Sequence, residues 1–212
     1  MSIRQAMLAL LEPGPMYGYQ LRAEFEQRTG ATWPLNVGQV YSTLSRLERD
    51  GLVEHVDGRG TSDVADQTGQ AAAQVMYRIT TPGRGEVSEW FATPVPRTQP
   101  PRDELAIKLA IAVTLPGVDV AALIQQQRTA TMTALQDYTR LKRSGRASRP
   151  DQPEDLAWSL VLDSLVFDAE AEIRWLDHSE ARLRRAALEG HLHTPARPTR
   201  PGITSDQEEV SS

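Results

Sequence analysis

The chain has 212 residues, enough for one large domain or two modest ones with real cores. It contains no Cys, which excludes disulfides, thiolate chemistry and Cys-ligated zinc and fits a reducing compartment. A formal net charge of -5 excludes a generally basic surface, so any contact with nucleic acid must come from a local patch. No apolar run reaches the ~18 residues of a membrane span, and no basic segment leads into a signal-like apolar core at the start of the sequence. A soluble, cytoplasmic protein is expected, with no part in a membrane.

In chain order, "IRQAMLALLEPGP" predicts a helix with Ile3, Met7, Leu10 and Leu11 inward, stopped by Pro13-Gly14-Pro15. "YGYQLRAEFEQRTG" predicts a second, burying Leu21 and Phe25 and ending at Gly30. "WPLNVGQVYSTLSRLERDGLV" contains the third: Asn36 stands where an N-cap accepts from first-turn amides, and Gly51 where the helix ends. At about 100° per residue, Val40, Leu44 and Leu47 form one stripe with Val37 beside it. The opposite arc carries Gly38, Ser42, Ser45 and Arg49, flanked by Gln39 and Arg46. Short donors and acceptors beside guanidinium groups are the chemistry that reads base edges and phosphates in a major groove, although an isolated helix with such a face is more often merely solvated.

The residues after that helix favour the nucleic-acid reading. "GLVEHV" alternates as a half-buried strand does, and "VMYRIT" can pair with it across the Gly-rich interval from Asp57 to Gln74. Thr81 as N-cap with Pro82 at the first helical position starts another helix. Three helices, strand, loop and strand is the order of a winged helix-turn-helix. Pro94, Pro96, Pro100 and Pro101 then block regular structure. The expected organisation is a winged helix-turn-helix domain over 1–92, a Pro-rich linker over 93–102, a helical domain over 103–189, and a disordered tail over 190–212 rich in Pro, Thr and Ser. Breaks at "LPGVD" and "SGRASRPDQPED" give the helical domain three helices.

"LLEPGPMYGYQL", "WPLNVGQVYSTLSRLERDGLV" and "YRITTPGRGEVSEW" together resemble the N-terminal domain of PadR-type bacterial transcriptional regulators, in order and spacing, over roughly the first 92 residues. The resemblance implies a mainly α fold with a small β-wing, in which an N-terminal winged helix-turn-helix precedes a C-terminal antiparallel helical dimerisation domain. It implies that Gln39, Ser42 and Arg46 approach base edges, with Ser45 and the N-cap Asn36 on the same surface. Tyr41 and Tyr19 would contact phosphates, with Tyr17 standing where relatives often have His, and Arg49, Arg59 and Arg78 would add phosphate contacts. For Tyr41 an alternative role at the edge of the core is equally open. The wing interval is long, with Gly58, Gly60 and Gly69, which predicts a mobile tip.

Enzyme readings find no support in the motifs. The four His lack metal-site spacing apart from "HLH" in the tail, so no metal is expected; no nucleophile elbow, phosphate loop or paired catalytic carboxylate stands out, and no cofactor is expected.

In the last helix Leu162, Ala169, Leu176 and Leu183 recur every seven, with Val166 and Ile173 offset by four, which reads as a coiled-coil-like dimerisation seam. Leu160 and Phe167 lie opposite, so the first half needs cover on two sides, from a partner subunit or from an intramolecular bundle. The resemblance further implies a small aromatic effector, with Trp158 and Trp175 as candidates, Trp158 better suited to core packing. The expected function is a homodimeric repressor on a pseudo-palindromic operator in double-stranded DNA, released by that effector and nucleoid-associated when bound. The other class is a helical protein-interaction adaptor on a winged-helix scaffold, favoured only by the net acidity.

Overall fold

The computed structural model describes residues 2–56, 75–96, 102–144 and 152–189. Seven helices and three strands occur among them: α1 (Ser2–Leu10), β1 (Met16–Tyr17), α2 (Gly18–Thr29), α3 (Val37–Arg49), β2 (Val53–Val56), β3 (Met76–Ile79), α4 (Thr81–Ala92), α5 (Glu104–Ala112), α6 (Val120–Arg143) and α7 (Pro153–Leu188). They form two compact units, one drawn from residues 1–99 and 135–168, the other from 100–134 and 169–212. Residues of both α6 and α7 fall in each unit. At 24 and 36 residues, α6 and α7 each outrun a single small core.

In the first unit, one core gathers Met7, Leu8 and Leu11 with Leu21 and Phe25 of α2, Val40, Leu44 and Leu47 of α3, and Tyr77, Ile79 and Val87. The strands are antiparallel in the order β1-β3-β2, Val53 pairing with Ile79 and Met16 with Tyr77. β1 lies where the sequence reading began a helix: Tyr17 is extended at φ -77, ψ 154 and precedes α2, its N–H bonded to Gln20 Oε1 at 2.9 Å. Leu35, just before α3, is buried, whereas Val37, expected beside the core stripe, is 54 % exposed. The helix begins at Val37, so its side chain leaves the first turn before the stripe reaches the core.

α3 passes directly into the sheet. Gly51 takes a left-handed φ of 73, and Leu52 N–H bonds Leu47 O at 2.9 Å, closing the helix end as β2 begins. α4 is capped by Thr80, not by the expected Thr81. The Thr80 hydroxyl accepts from Gly83 N–H at 3.2 Å and donates to Gly51 O at 2.8 Å, a tertiary bond that selects between two adjacent threonines. Arg4 joins three helices by pairing with Glu86 of α4 and, at 3.1 Å, with Asp50 at the end of α3.

The second unit centres on Leu109, Ile124 and Leu176, with Trp175 and Leu183 packed against them. Above this cluster a polar knot ties α6 to α7: Arg128 meets Asp177 at 2.8 Å and Glu180 at 2.7 Å, and Gln125 donates to Glu180 at 3.3 Å. The hydrogen bond from Arg128 holds the Glu180 carboxyl below its usual range. A carboxylate lowered in the folded state stabilises it above its unfolded pKa, and the contribution disappears as pH falls through the folded value. The thermal midpoint of the helical unit should therefore fall as pH is lowered from about 5. Glu180→Gln should flatten that dependence; an equal acid dependence in the variant would place the titrating group elsewhere.

Candidate nucleic-acid interface

The outer face of α3 is fixed by what lies on its inner one. Val40, Leu44 and Leu47 are at most 1 % exposed, which forces Gly38, Ser42, Ser45, Arg46 and Arg49 outward, and all five are exposed. Asn36 Oδ1 accepts from Gln39 N–H at 2.7 Å, and Gln39 Oε1 accepts from Asn36 N–H at 3.2 Å. This reciprocal cap means that Asn36 serves the helix start, and that Gln39 has its amide NH2 and one remaining carbonyl lone pair to offer a base. Ser42 Oγ donates to Gln39 O at 3.1 Å, so its hydroxyl faces a groove as an acceptor.

The arginines differ in commitment. Arg46 has no carboxylate partner among the described residues, while Arg49, with its side chain 75 % exposed, sits 3.7 Å from Asp50. Arg78 on β3 lies 3.6 Å from Glu54 across the sheet. Arg59 and the expected wing tip lie outside the described residues. His55 on β2 bonds Glu48 of α3 at 2.9 Å and sets its ring edge-on to Tyr77, bracing the sheet against the helix. Burial pushes the Tyr77 phenol upward, keeping it neutral.

Tyr17 and Tyr19 are stacked at 5.5 Å and 10° around the start of α2, Tyr19 well exposed and Tyr17 half-buried. Tyr41 is 41 % exposed and rests against Gly18, so of its two sequence-level readings it combines both, an edge on the fold and a hydroxyl at the surface. The sequence reading missed Gly18, and missed Trp33, exposed just before α3. Only the dipeptides Tyr17-Gly18 and Gly18-Tyr19 hinted at the former.

The expected helical sites are placed differently. Leu162, Ala169 and Leu176 are at most 8 % exposed within the chain itself, so these three heptad positions are buried without a partner subunit. Val166, Ile173 and Leu183 on the same side are partly buried. Trp158 lies over Gly30, where an added Cβ would come within 2.3 Å of its ring, and Trp175 packs on the Leu109 cluster. Each indole thus has a packing partner within its own unit. A cavity of about 360 Å³ opens beside the second cluster, lined by Ala112, Val118, Val120, Ile124 and Leu183 together with the charged Asp119, Glu180 and Arg184.

A third helix aimed outward, held by two others and flanked by an antiparallel sheet, defines a winged helix-turn-helix protein. Residues 7–89 match the Transcriptional regulator PadR-like family and residues 101–184 the Virulence activator alpha C-term family. The chain is 30% identical over 188 residues to a probable transcriptional regulator of Mycobacterium tuberculosis, covering 84% of this chain and 95% of the relative. It is 25% identical to the negative transcriptional regulator PadR of Bacillus subtilis over 82% and 93% of the two chains. That regulator's crystal structures share the fold: with operator DNA, TM-score 0.61 at 24% identity over 86% of this chain and 99% of that one; with p-coumaric acid, TM-score 0.60 at 22% over 87% and 99%. The chain belongs to the PadR-like family of transcriptional regulators, a family of regulators and not of enzymes.

Arg46→Ala should cost about 1 to 3 kcal/mol on a specific site and relax preference at one position per half-site, since its fork can bond guanine bidentately. Arg49→Ala should weaken all sequences alike and flatten the salt dependence. Competition binding across sequence variants at several salt concentrations separates the two. Uniform loss from Arg46→Ala would make it a phosphate contact only.

Proposed function

We propose that this regulator is a homodimer that binds a pseudo-palindromic operator through α3 and represses transcription, and that a small aromatic molecule releases it. The observation that carries the reading is the α3 face, where Ser45 and Arg46 stand exposed on a helix whose other side is locked into the core. Support for a dimer comes from α7. Leu156, Leu160 and Phe167 fall within about 40° of one another on the helix, and they are 50%, 61% and 65% exposed in the single chain. Large apolar groups in one stripe need cover, and a second copy supplies it. The PadR crystals with operator DNA and with p-coumaric acid support a DNA partner and a small effector for this family member. The cavity in the helical unit is a candidate effector site, and Trp175 shares the cluster that forms its wall.

The test is mobility shift of labelled DNA from upstream of the gene, against excess nonspecific competitor, with and without p-coumaric acid and related planar acids. Retention of the specific band without a compound, and its loss with one, is the expected result. No shift at low salt would sink the regulator reading, and a shift unaffected by every compound would sink the effector part alone.

A further inference from the structure

We propose that Gly18 is a positioning residue for DNA: it is the seat on which the Tyr41 phenol rests, and it fixes the Tyr41 hydroxyl beside the amino end of α2, where that hydroxyl donates to a backbone phosphate. The inference rests on the reading that the α3 face binds DNA, and it adds to that reading a residue with no side chain of its own.

Three observations carry it. Gly18 is buried, and a Cβ built on it would lie 2.9 Å from Tyr41 Cε1, 3.0 Å from Cζ and 3.2 Å from the hydroxyl oxygen. The ring therefore occupies the volume in which any other residue would place its side chain. Gly18 is not among the glycines with positive φ, which are Gly30, Gly51 and Gly117 in the described residues, so its backbone makes no demand for glycine. Space for the Tyr41 ring is thus the reason a larger residue is excluded. Finally, a cavity of about 300 Å³ between α2 and α3, lined by Tyr19, Arg22, Val37 and Tyr41 itself, gives a displaced ring somewhere to go.

The physical consequence is a separation of stability from binding. What an alanine at this position meets is the far end of a side chain that can rotate, not backbone. The fold should yield by moving the ring, and alanine in the first turn is no worse a helix former than glycine. The hydroxyl, however, loses its place. A tyrosine phenol can donate to a phosphate only when its oxygen is held within hydrogen-bond reach, and such bonds position a protein on the duplex without reading sequence.

Because the contact is with phosphate, a labelled duplex of mixed sequence, roughly 30 base pairs long, at low salt is a sufficient ligand. Fluorescence anisotropy with this duplex is compared for the unmodified protein and for Gly18→Ala, Tyr41→Phe and the double variant, together with the thermal midpoint of each. The expected result is an unchanged or higher midpoint for Gly18→Ala and a Kd raised about tenfold, the loss expected for one hydrogen bond to a charged acceptor. Tyr41→Phe should lose a similar factor, and the double variant no more than either alone, since both remove the same bond. Wild-type affinity in Gly18→Ala, a lowered midpoint, or losses that multiply in the double variant would each overturn the positioning role while leaving the DNA reading standing. If the unmodified protein does not bind the duplex, the DNA reading fails and the inference with it.

Discussion

Leu176→Asp is expected to unfold the helical unit, whereas Phe167→Asp should leave it folded and disrupt only the proposed dimer. The two residues sit on one helix and are both large and apolar, but they differ in what covers them. Leu176 has no exposed surface and packs with Leu109 and Ile124. A carboxylate there is buried without a partner, and the lost packing adds to the desolvation, so destabilisation of about 4 kcal/mol is expected. That is a large fraction of a domain's total stability. Phe167 is 65 % exposed in the single chain, so aspartate there costs the fold little. Urea titration followed by circular dichroism and sedimentation velocity at micromolar concentration distinguish the cases. If Leu176→Asp stays folded and becomes monomeric, the heptad stripe is a subunit seam after all.

The second large effect is expected at Gly83, in the first turn of α4. A Cβ there would come within 2.3 Å of Leu52 O and 2.8 Å of Ile79 Cγ1. Unlike the Tyr41 ring over Gly18, the Leu52 carbonyl cannot rotate away, because it accepts from Thr80 N–H at 3.0 Å in the junction between α3, the sheet and α4. Gly83→Ala must therefore move backbone at the junction that carries α3 into β2. Destabilisation of about 3 kcal/mol is expected, at the upper end of overpacking costs, with DNA binding lost in proportion to the unfolded fraction. Thermal unfolding of the variant checks this, and a midpoint within a degree or two of wild type would show that α4 can slide on the sheet.

The contrast between these glycines shows what kind of information a sequence carries. The bounds of α3 were legible because its signals are local: an apolar stripe of Val40, Leu44 and Leu47, an amide cap at Asn36 and a left-handed Gly51. The winged helix-turn-helix order followed from such signals, and so did the three helices after the linker. β1 was not legible, since two residues have no periodicity and Met16–Tyr17 becomes a strand only by pairing with β3, some 60 positions away. The choice between Thr80 and Thr81 as cap depended on the carbonyl of Gly51.

Periodicity placed Leu162, Ala169 and Leu176 on one face of α7 but could not say what covers it; the chain itself does. The same limit applied to Trp158, whose partner Gly30 is more than a hundred residues away. In the candidate site the outward residues of α3 were read from the helix alone. The commitment of the Gln39 carbonyl to the helix cap, and the seat beneath Tyr41, required side-chain positions that spacing does not give.

The exposed face of α3 is expected to read DNA as one half of a symmetric pair. Protection mapping of the region upstream of the gene, performed side by side with the wild-type protein and Arg46→Ala, tests it most directly. Two protected half-sites about one helical turn, or a multiple of it, apart, with protection lost at matched concentrations of the folded variant, is the predicted result. Protection that is absent at low salt, or that Arg46→Ala reproduces in full with the same boundaries and affinity, would contradict it.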